Sequence, residues 1–326
     1  MRAPLLLTRL TLTLALVAAG AAASAQEAWP ARPITLIVPF AAGSGTDIGA
    51  RLLARDLSAS LGAATVVVDN RPGANGAIGA QAAARARPDG HTLMIGNATS
   101  HAANFAFFAG KLGYGPASFD IVGTLGASPI GLYVAPGAPW RTLAELVADA
   151  RRNPGKFSCG SGNATTQVAC EVFRKQAGIE AVTVPYKGNP QSLTDVAGGQ
   201  LSYAFADASV AAGFLEGRKI RALAVAAAQR NPVAPEVPTF VELGYAGFEV
   251  TGWSAVFAPA GVPRAIVERL NAAVRKSTES PESVQSRQRA GSIALPYDVE
   301  ASRRFLQAEI ARWARFVEVS GVKPEQ

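Results

Sequence analysis

Apolar residues come along this chain in short unbroken runs that alternate with amphipathic stretches. Ile34-Thr35-Leu36-Ile37-Val38 has the look of a strand buried on both faces, since almost nothing in it is set aside for water. Pro39-Phe40 closes the run, and a glycine-rich turn follows. Over 47–61 the apolar positions Ile48, Leu52, Leu53, Leu57 and Leu61 keep helical spacing, and Gly62 stops the helix. A second strand is predicted over 65–68, a helix over 78–86 and a third strand over 92–95. The alternation resumes with a strand at 132–134, a helix at 143–152, a strand at 156–159 and a helix at 165–177 ended by Gly178. Strands are also predicted at 182–184, 203–206 and 221–225. Pro263 opens a further helix through Lys276. Phe305, Leu306, Ile310, Trp313, Phe316 and Val317 then form one stripe of a C-terminal helix that stops at Gly321. Strands and helices in turn at this spacing predict an α/β protein with mainly parallel sheets.

The first 25 residues follow another pattern. Arg2 and Arg9 supply positive charge, the run 10–19 is apolar apart from two threonines, and Ala23-Ser24-Ala25 gives a small-x-small cleavage site before Gln26. That is the signature of a secretory signal peptide, and its apolar core is shorter than the roughly 20 residues of a membrane span. A soluble exported protein is expected, not embedded in the membrane. The formal charge of +7 becomes +5 once Arg2 and Arg9 leave with a leader that holds no acid. The remaining charges are scattered and not interleaved with aromatics, which argues against nucleic acid as a partner. Cys159 and Cys170 could bridge in an oxidising compartment or remain two buried thiols. No Cys/His/Asp cluster has metal-ligand spacing, so neither a metal nor a cofactor is expected.

The candidate chemistry lies in glycine-rich loops between a strand and a helix. In Gly43-Ser44-Gly45-Thr46-Asp47 the unpaired N–H groups of a helix start and the helix dipole together suit a carboxylate or phosphate. Ser44 and Asp47 also fit a capping box, and the two roles can coexist. Gly160-Ser161-Gly162-Asn163-Ala164-Thr165-Thr166 repeats the design about 115 residues later, with Ser161, Thr165 and Thr166 open to a capping role. Two such loops facing each other across a cleft could grip one small anion, without Arg or Lys in either loop. Gly96-Asn97-Ala98-Thr99-Ser100-His101 is a third strand-end stretch, and His101 fits a hydrogen-bonded structural histidine better than a catalytic one. Gly43-x-Gly45-x-x-x-Gly49 with Asp69 beyond it approaches a dinucleotide fingerprint. The spacing is off by one, export separates the protein from free nicotinamide cofactors, and no hydride-transfer partner stands out. An oxidoreductase is therefore the weak alternative, and no enzyme activity is expected.

Several short segments occur in one order: Trp29-Pro30-x-Arg32-Pro33-Ile34, Val38-Pro39-Phe40 with the first loop, Asn70-Arg71-Pro72-Gly73-Ala74, Asp89-Gly90-x-Thr92-Leu93, Gly160-Ser161-Gly162, Val184-Pro185-Tyr186-Lys187-Gly188, Gly198-Gly199-Gln200, Arg221-Ala222-Leu223-Ala224-Val225 and Phe257-Ala258-Pro259-Ala260-Gly261. Together they resemble the Bug, or TctC-like, extracytoplasmic solute receptors of tripartite tricarboxylate transporters, over nearly the whole chain after the leader. The resemblance implies a type II-like periplasmic binding protein fold, a Venus flytrap of two α/β domains joined by two crossover segments. Domain one would comprise 26–127 and 225–326, and domain two 128–224. It further implies a location in the periplasm of a Gram-negative cell, and a small organic carboxylate held at the domain junction and delivered to membrane subunits of the transporter. The positions that would line the cleft are Phe40, Ala42, Gly43, Ser44, Thr46, Asp47, Asn97, Ala98 and Thr99 from domain one. From domain two they are Ser161, Gly162, Asn163, Thr165, Thr166, Tyr186 and Asp207, the last as an acceptor for a ligand amine or hydroxyl or else as a helix cap. Ala41, Ala42 and Ser44 replace the Pro or Gly of many relatives, and Thr165-Thr166-Gln167-Val168 replaces their Ser-x-x-His-Leu. A flytrap sensor for a membrane signalling protein would use the same residues.

Overall fold

The structure is a computed structural model that describes residues 29–108, 110–227, 229–230, 234–289 and 291–321. The predicted leader and its cleavage point lie outside the described residues.

Three parallel strands open the fold. β1 (Ile34–Val38) lies between β2 (Val66–Asn70) and β3 (Thr92–Asn97), with α1 (Gly45–Ser60) and α2 (Ala77–Ala84) as the crossovers. The unbroken apolar run of β1 has its reason here. Ile34, Leu36 and Val38 pack on one face with Leu53 and Leu57 of α1, while Ile37 packs on the other. β3 runs into a π-helical turn (Thr99–Ala103) and the short α3 (Asn104–Phe107).

β4 (Phe119–Val134) then serves two sheets. Its residues from Phe119 to Pro129 pair antiparallel with β9 (Thr251–Pro259). From Ile130 onward it pairs antiparallel with β7 (Tyr203–Asp207) and β8 (Arg221–Ala226). After α4 (Leu143–Arg152), a second parallel trio forms: β5 (Phe157–Ser161) lies between β6 (Ala181–Pro185) and β7, with α5 (Ala164–Ala177) and α6 (Asn189–Ala197) as crossovers. α7 (Ala208–Glu216) leads to β8, and the chain returns through β9 to α8 (Arg264–Thr278), α9 (Pro281–Arg289), β10 (Ile293–Ala294) and α10 (Val299–Ser320). The strand order is β2-β1-β3-β9-β4-β7-β5-β6.

One expectation is corrected. The sheet is parallel only in its two outer trios; its centre, around β4 and β9, is antiparallel. A strand that leaves one trio and another that returns to it run in opposite directions, which the alternation of apolar runs alone does not reveal.

The core follows the faces of these strands. One aromatic cluster sets Phe173 of α5 against Tyr203, Phe205, Phe240 and Phe248. Trp313 of the C-terminal helix is wholly buried, as the apolar stripe predicts, and α10 packs over β4, the π turn and α5. At its far end Lys175 Nζ of α5 donates to Val319 O at 3.0 Å.

Candidate functional site

In both trios the strands end at the loops singled out above, so that strand-end side chains and helix starts share one region of each trio. In the first, Gly43 takes the left-handed backbone (φ +79°) that turns the chain into α1. Ser44 Oγ accepts from the Asp47 N–H at 3.2 Å, so Ser44 caps the helix, and Asp47 Oδ2 accepts from the Gly43 N–H at 2.9 Å. Asp47 is almost wholly buried and holds two further partners: Arg51 in a bidentate pair at 3.0 and 3.1 Å, and Asn70 Nδ2 at 2.9 Å. Burial alone would push this carboxyl up, but the bonds from Arg51, Gly43 and Asn70 outweigh it and hold the group below its ordinary range. Asn70 Nδ2 also donates to Phe40 O at 3.1 Å, closing the loop onto β2. Ala42 is exposed, while Phe40, Ser44 and Thr46 are partly so. Among the described residues no acceptor meets the Thr46 N–H.

The second loop is built from neutral groups. Asn163 caps α5: its Oδ1 accepts from the Thr166 N–H at 2.9 Å, and Thr166 Oγ1 accepts in return from the Asn163 N–H at 3.2 Å and the Gly162 N–H at 3.0 Å. A Cβ on Gly162 would collide with the backbone of Asn189, so α6 approaches this loop more closely than any other residue would permit. The N–H groups of Ala164 and Thr165 are then the donors that the helix start leaves free among the described residues. Cys159 on β5 and Cys170 on α5 form a disulfide, with 6.1 Å between their Cα atoms, which fastens the helix to the strand behind the loop.

The third stretch joins the first trio to the second. Asn97 Oδ1 accepts from the Ser100 N–H at 3.0 Å and so shapes the π turn. Thr99 is buried there, and its Oγ1 lies 3.1 Å from Thr165 Oγ1. Residues from the two parallel trios thus meet directly. Ala98 is buried beside them. His101 is structural: its ring stacks on Phe257 at 3.8 Å, Nδ1 pairs with Ser100 Oγ at 3.0 Å, and burial pulls its pKa down to about 3, so it stays neutral.

Tyr186 and Asp207 stand at the ends of β6 and β7. The Tyr186 hydroxyl donates to Asp195 Oδ2 of α6 at 2.6 Å, and that carboxylate pushes the phenol up to about 12. Asp207 occupies the N-cap position of α7 without capping it through its side chain. Its Oδ2 accepts from Asn189 Nδ2 at 2.8 Å, and the Asn163 amide nearby also favours the charged form. Burial dominates at this group and pushes it up to about 6.

The structure therefore gathers Gly43, Ser44 and Asp47 in one network, Asn163, Thr166 and Asp207 in another, and links Thr99 to Thr165. Tyr186 bonds into α6 instead. Three residues of these networks were not picked out from the sequence. Arg51 lies four residues after Asp47, a spacing that was there to be read. Asn70 sits in the Asn-Arg-Pro-Gly-Ala motif, and Asn189 begins α6, but their partners arise only on folding. Among the described residues no group of His, Cys, Asp and Glu could hold a metal, and no helix is long and apolar enough to cross a membrane.

Residues 49–322 match the family described as "Tripartite tricarboxylate transporter family receptor". The chain belongs to this family. Protein BugT of Bordetella pertussis is 32% identical over 306 residues, covering 93% of this chain and 94% of that protein. Among solved structures, R. palustris Rpa4515 with adipate is 34% identical with a TM-score of 0.85, covering 91% of this chain and 100% of the other. MatC from Rhodopseudomonas palustris with bound malate is 31% identical with a TM-score of 0.80, covering 89% and 100%. The receptor fold is that of the periplasmic binding proteins, the Venus flytrap, and family and fold are those of solute-binding proteins rather than enzymes.

Proposed function

We propose that this receptor captures a small organic carboxylate in the periplasm and delivers it to the membrane subunits of a tripartite transporter. The contact between Thr99 and Thr165, 3.1 Å apart, carries the reading, because it sets the start of α5 against the end of β3. The ligand carboxylate would take the free N–H groups of Thr46, Ala164 and Thr165, with hydroxyls of Ser44, Thr99, Ser161 and Thr165 around it. Arg51 is engaged with Asp47, so the seat rests on backbone dipoles and hydroxyls rather than on a free cation. Adipate and malate in the related structures support a carboxylate as the ligand class.

Residues 26–127 with 225–326 would form one lobe and 128–224 the other, hinged where β4 exchanges β9 for β7 and β8. A ligand touching both lobes favours the closed form by its extra contacts there. The leader would be removed near Ala25/Gln26. Native mass spectrometry of the protein from a periplasmic extract, followed by calorimetry with a panel of mono-, di- and tricarboxylic acids, tests this. Saturable binding of an acid is expected. Failure of every acid to bind, with a non-carboxylate ligand in the mass spectrum, overturns it.

A further inference from the structure

The C-terminal helix reaches from one lobe to the other. It begins on the first: β10 leads into it from its pairing with Gly126 and Ala127 of β4, and Phe305 packs edge-on against Trp253 of β9 and against Tyr297. Glu309, buried in the middle of α10, lies beside the indoles of Trp253 and Trp313. The far end of α10 meets the second lobe. Lys175, in the last turn of α5, donates from Nζ to Val319 O at 3.0 Å. Gly321 closes α10 in the left-handed region (φ +64°), and a Cβ there would stand 2.7 Å from that ammonium. The last turn of α10 holds no basic residue of its own, and Glu318 adds a negative charge there. Two helix C-termini, each the negative end of a dipole, converge on one cation contributed by α5.

α5 is thus tied to the first lobe at both ends. Thr165 at its start faces Thr99 across 3.1 Å, and Lys175 at its end holds α10. The residues from 165 to 175 span about 15 Å of helix. A rigid helix held at two points that far apart can turn only about the line joining them, so opening of the lobes breaks at least one contact. Resting on the two-lobe receptor reading, we infer that the end of α10 is a clasp for the closed form: the Lys175 ammonium seats on its carbonyls when the lobes shut and leaves them when they part. Capture at one end of α5 and clasping at the other are then one equilibrium. The clasp adds to the affinity for a ligand it never touches, by raising the population of the form that binds. An exposed cation at a helix C-terminus contributes modestly, so it biases closure without preventing ligand exchange.

The test measures closure directly. Nitroxide labels are placed on Ile48→Cys and Gln191→Cys, exposed positions near the start of α1 in one lobe and of α6 in the other; Cys159 and Cys170 are bridged to each other and take none. Pulsed electron resonance gives the distance distribution in the ligand-free protein, calorimetry gives the affinity for succinate, malate and adipate, and melting curves check that each variant folds. Lys175→Met is expected to lower the ratio of closed to open forms about threefold, and Lys175→Glu, which sets a like charge against the helix end, about tenfold. Lys175→Arg is expected to keep the wild-type ratio. Affinity for an acid that binds is expected to fall by the same factors. A distance distribution unchanged in Lys175→Glu, or a shift of equal size in Lys175→Arg, overturns the clasp, and acid binding to the wild type then leaves the receptor reading standing. If none of the acids binds the wild type, the carboxylate reading falls, and the ligand-free distances decide the clasp on their own.

Discussion

The two parallel trios solve one structural problem in different ways. Each must turn a buried strand into a helix through a glycine loop, and each keeps a carboxylate near that turn. Asp47 in the first is almost wholly buried yet held below its ordinary range, because Arg51 and two further N–H donors, Gly43 and Asn70, surround it. Asp207 in the second has amides and no cation, and it is pushed up to about 6. Burial acts on both in the same direction; at Asp47 the bonds from Arg51, Gly43 and Asn70 outweigh it, whereas at Asp207 the amides alone do not. The first loop is fastened by charge, and the second, where the helix start is neutral, by the Cys159–Cys170 bridge behind it.

Removing the bridge should have the largest effect. A covalent link across 11 residues of sequence is expected to contribute about 2–4 kcal/mol. Denaturant unfolding of the Cys159→Ala/Cys170→Ala double variant should show that loss, and ligand affinity should fall because the start of α5 is no longer tied to β5. An unfolding midpoint equal to wild type would mean that the second loop is held by packing alone. Next comes Asp47→Asn, which strips the first loop of its charge. It should cost about 2 kcal/mol at pH 7, since the Gly43 N–H and Arg51 lose their charged partner. The stabilisation from Asp47 is present above the unfolded carboxyl pKa and lost as pH falls through the lower folded value. The gap between Asp47→Asn and wild type should therefore close on acidification below about pH 4. A gap that does not narrow at all on acidification would show that shape, not charge, holds the loop.

A smaller effect should come from the contact between the trios. Thr165→Val keeps the shape and removes the hydroxyl that faces Thr99. Affinity for the bound acid should drop about tenfold, and Thr99→Val should then add little in the double variant, because the two hydroxyls act as a pair. Additive losses would mean that each hydroxyl serves the ligand separately.

How far this comparison could be read in advance depended on the kind of signal. β1, α1, β5 and α5 were legible because fully buried strands carry unbroken apolar runs, and helices carry spaced ones with glycine stops. The long strand β4 was visible only over 132–134. Its earlier part includes Asp120, Gly123, Gly126 and Pro129, and its pairing slips between Ile121 and Gly123 and again between Thr124 and Gly126. Such a strand is specified by its partners rather than by its own pattern. β9, α6 and α7 were missed for a similar reason: Thr251–Pro259 mixes small, polar and aromatic residues, and α6 opens on Asn189-Pro190. In the site the loops were legible, since glycine between a strand and a helix has a local meaning. The fates of Asp47 and Asp207 were less so: Arg51 stands one helical turn from Asp47 and was open to reading, but Asn70 beside the one, and Asn189 beside the other, arrive only through tertiary packing.

The smallest expected effect discriminates most finely between the two carboxylates. Asp207 binds its proton more tightly folded, at about 6, than a carboxyl does in the unfolded chain. Its favourable contribution is therefore complete below the unfolded pKa and is lost as pH rises through 6, the reverse of Asp47. Asp207→Asn removes this titration. Relative to wild type, its melting temperature should climb between pH 4.5 and 7.5 by a few degrees, corresponding to roughly 1–3 kcal/mol after allowance for the partial exposure of the group. The absolute difference at any one pH is less informative, since an amide facing the amides of Asn163 and Asn189 changes the bonding as well as the charge. The slope isolates the proton. A flat difference across this range would mean that Asp207 titrates as it does in the unfolded chain and is not paying for its burial, and the contrast between the two loops would then reduce to the bridge alone.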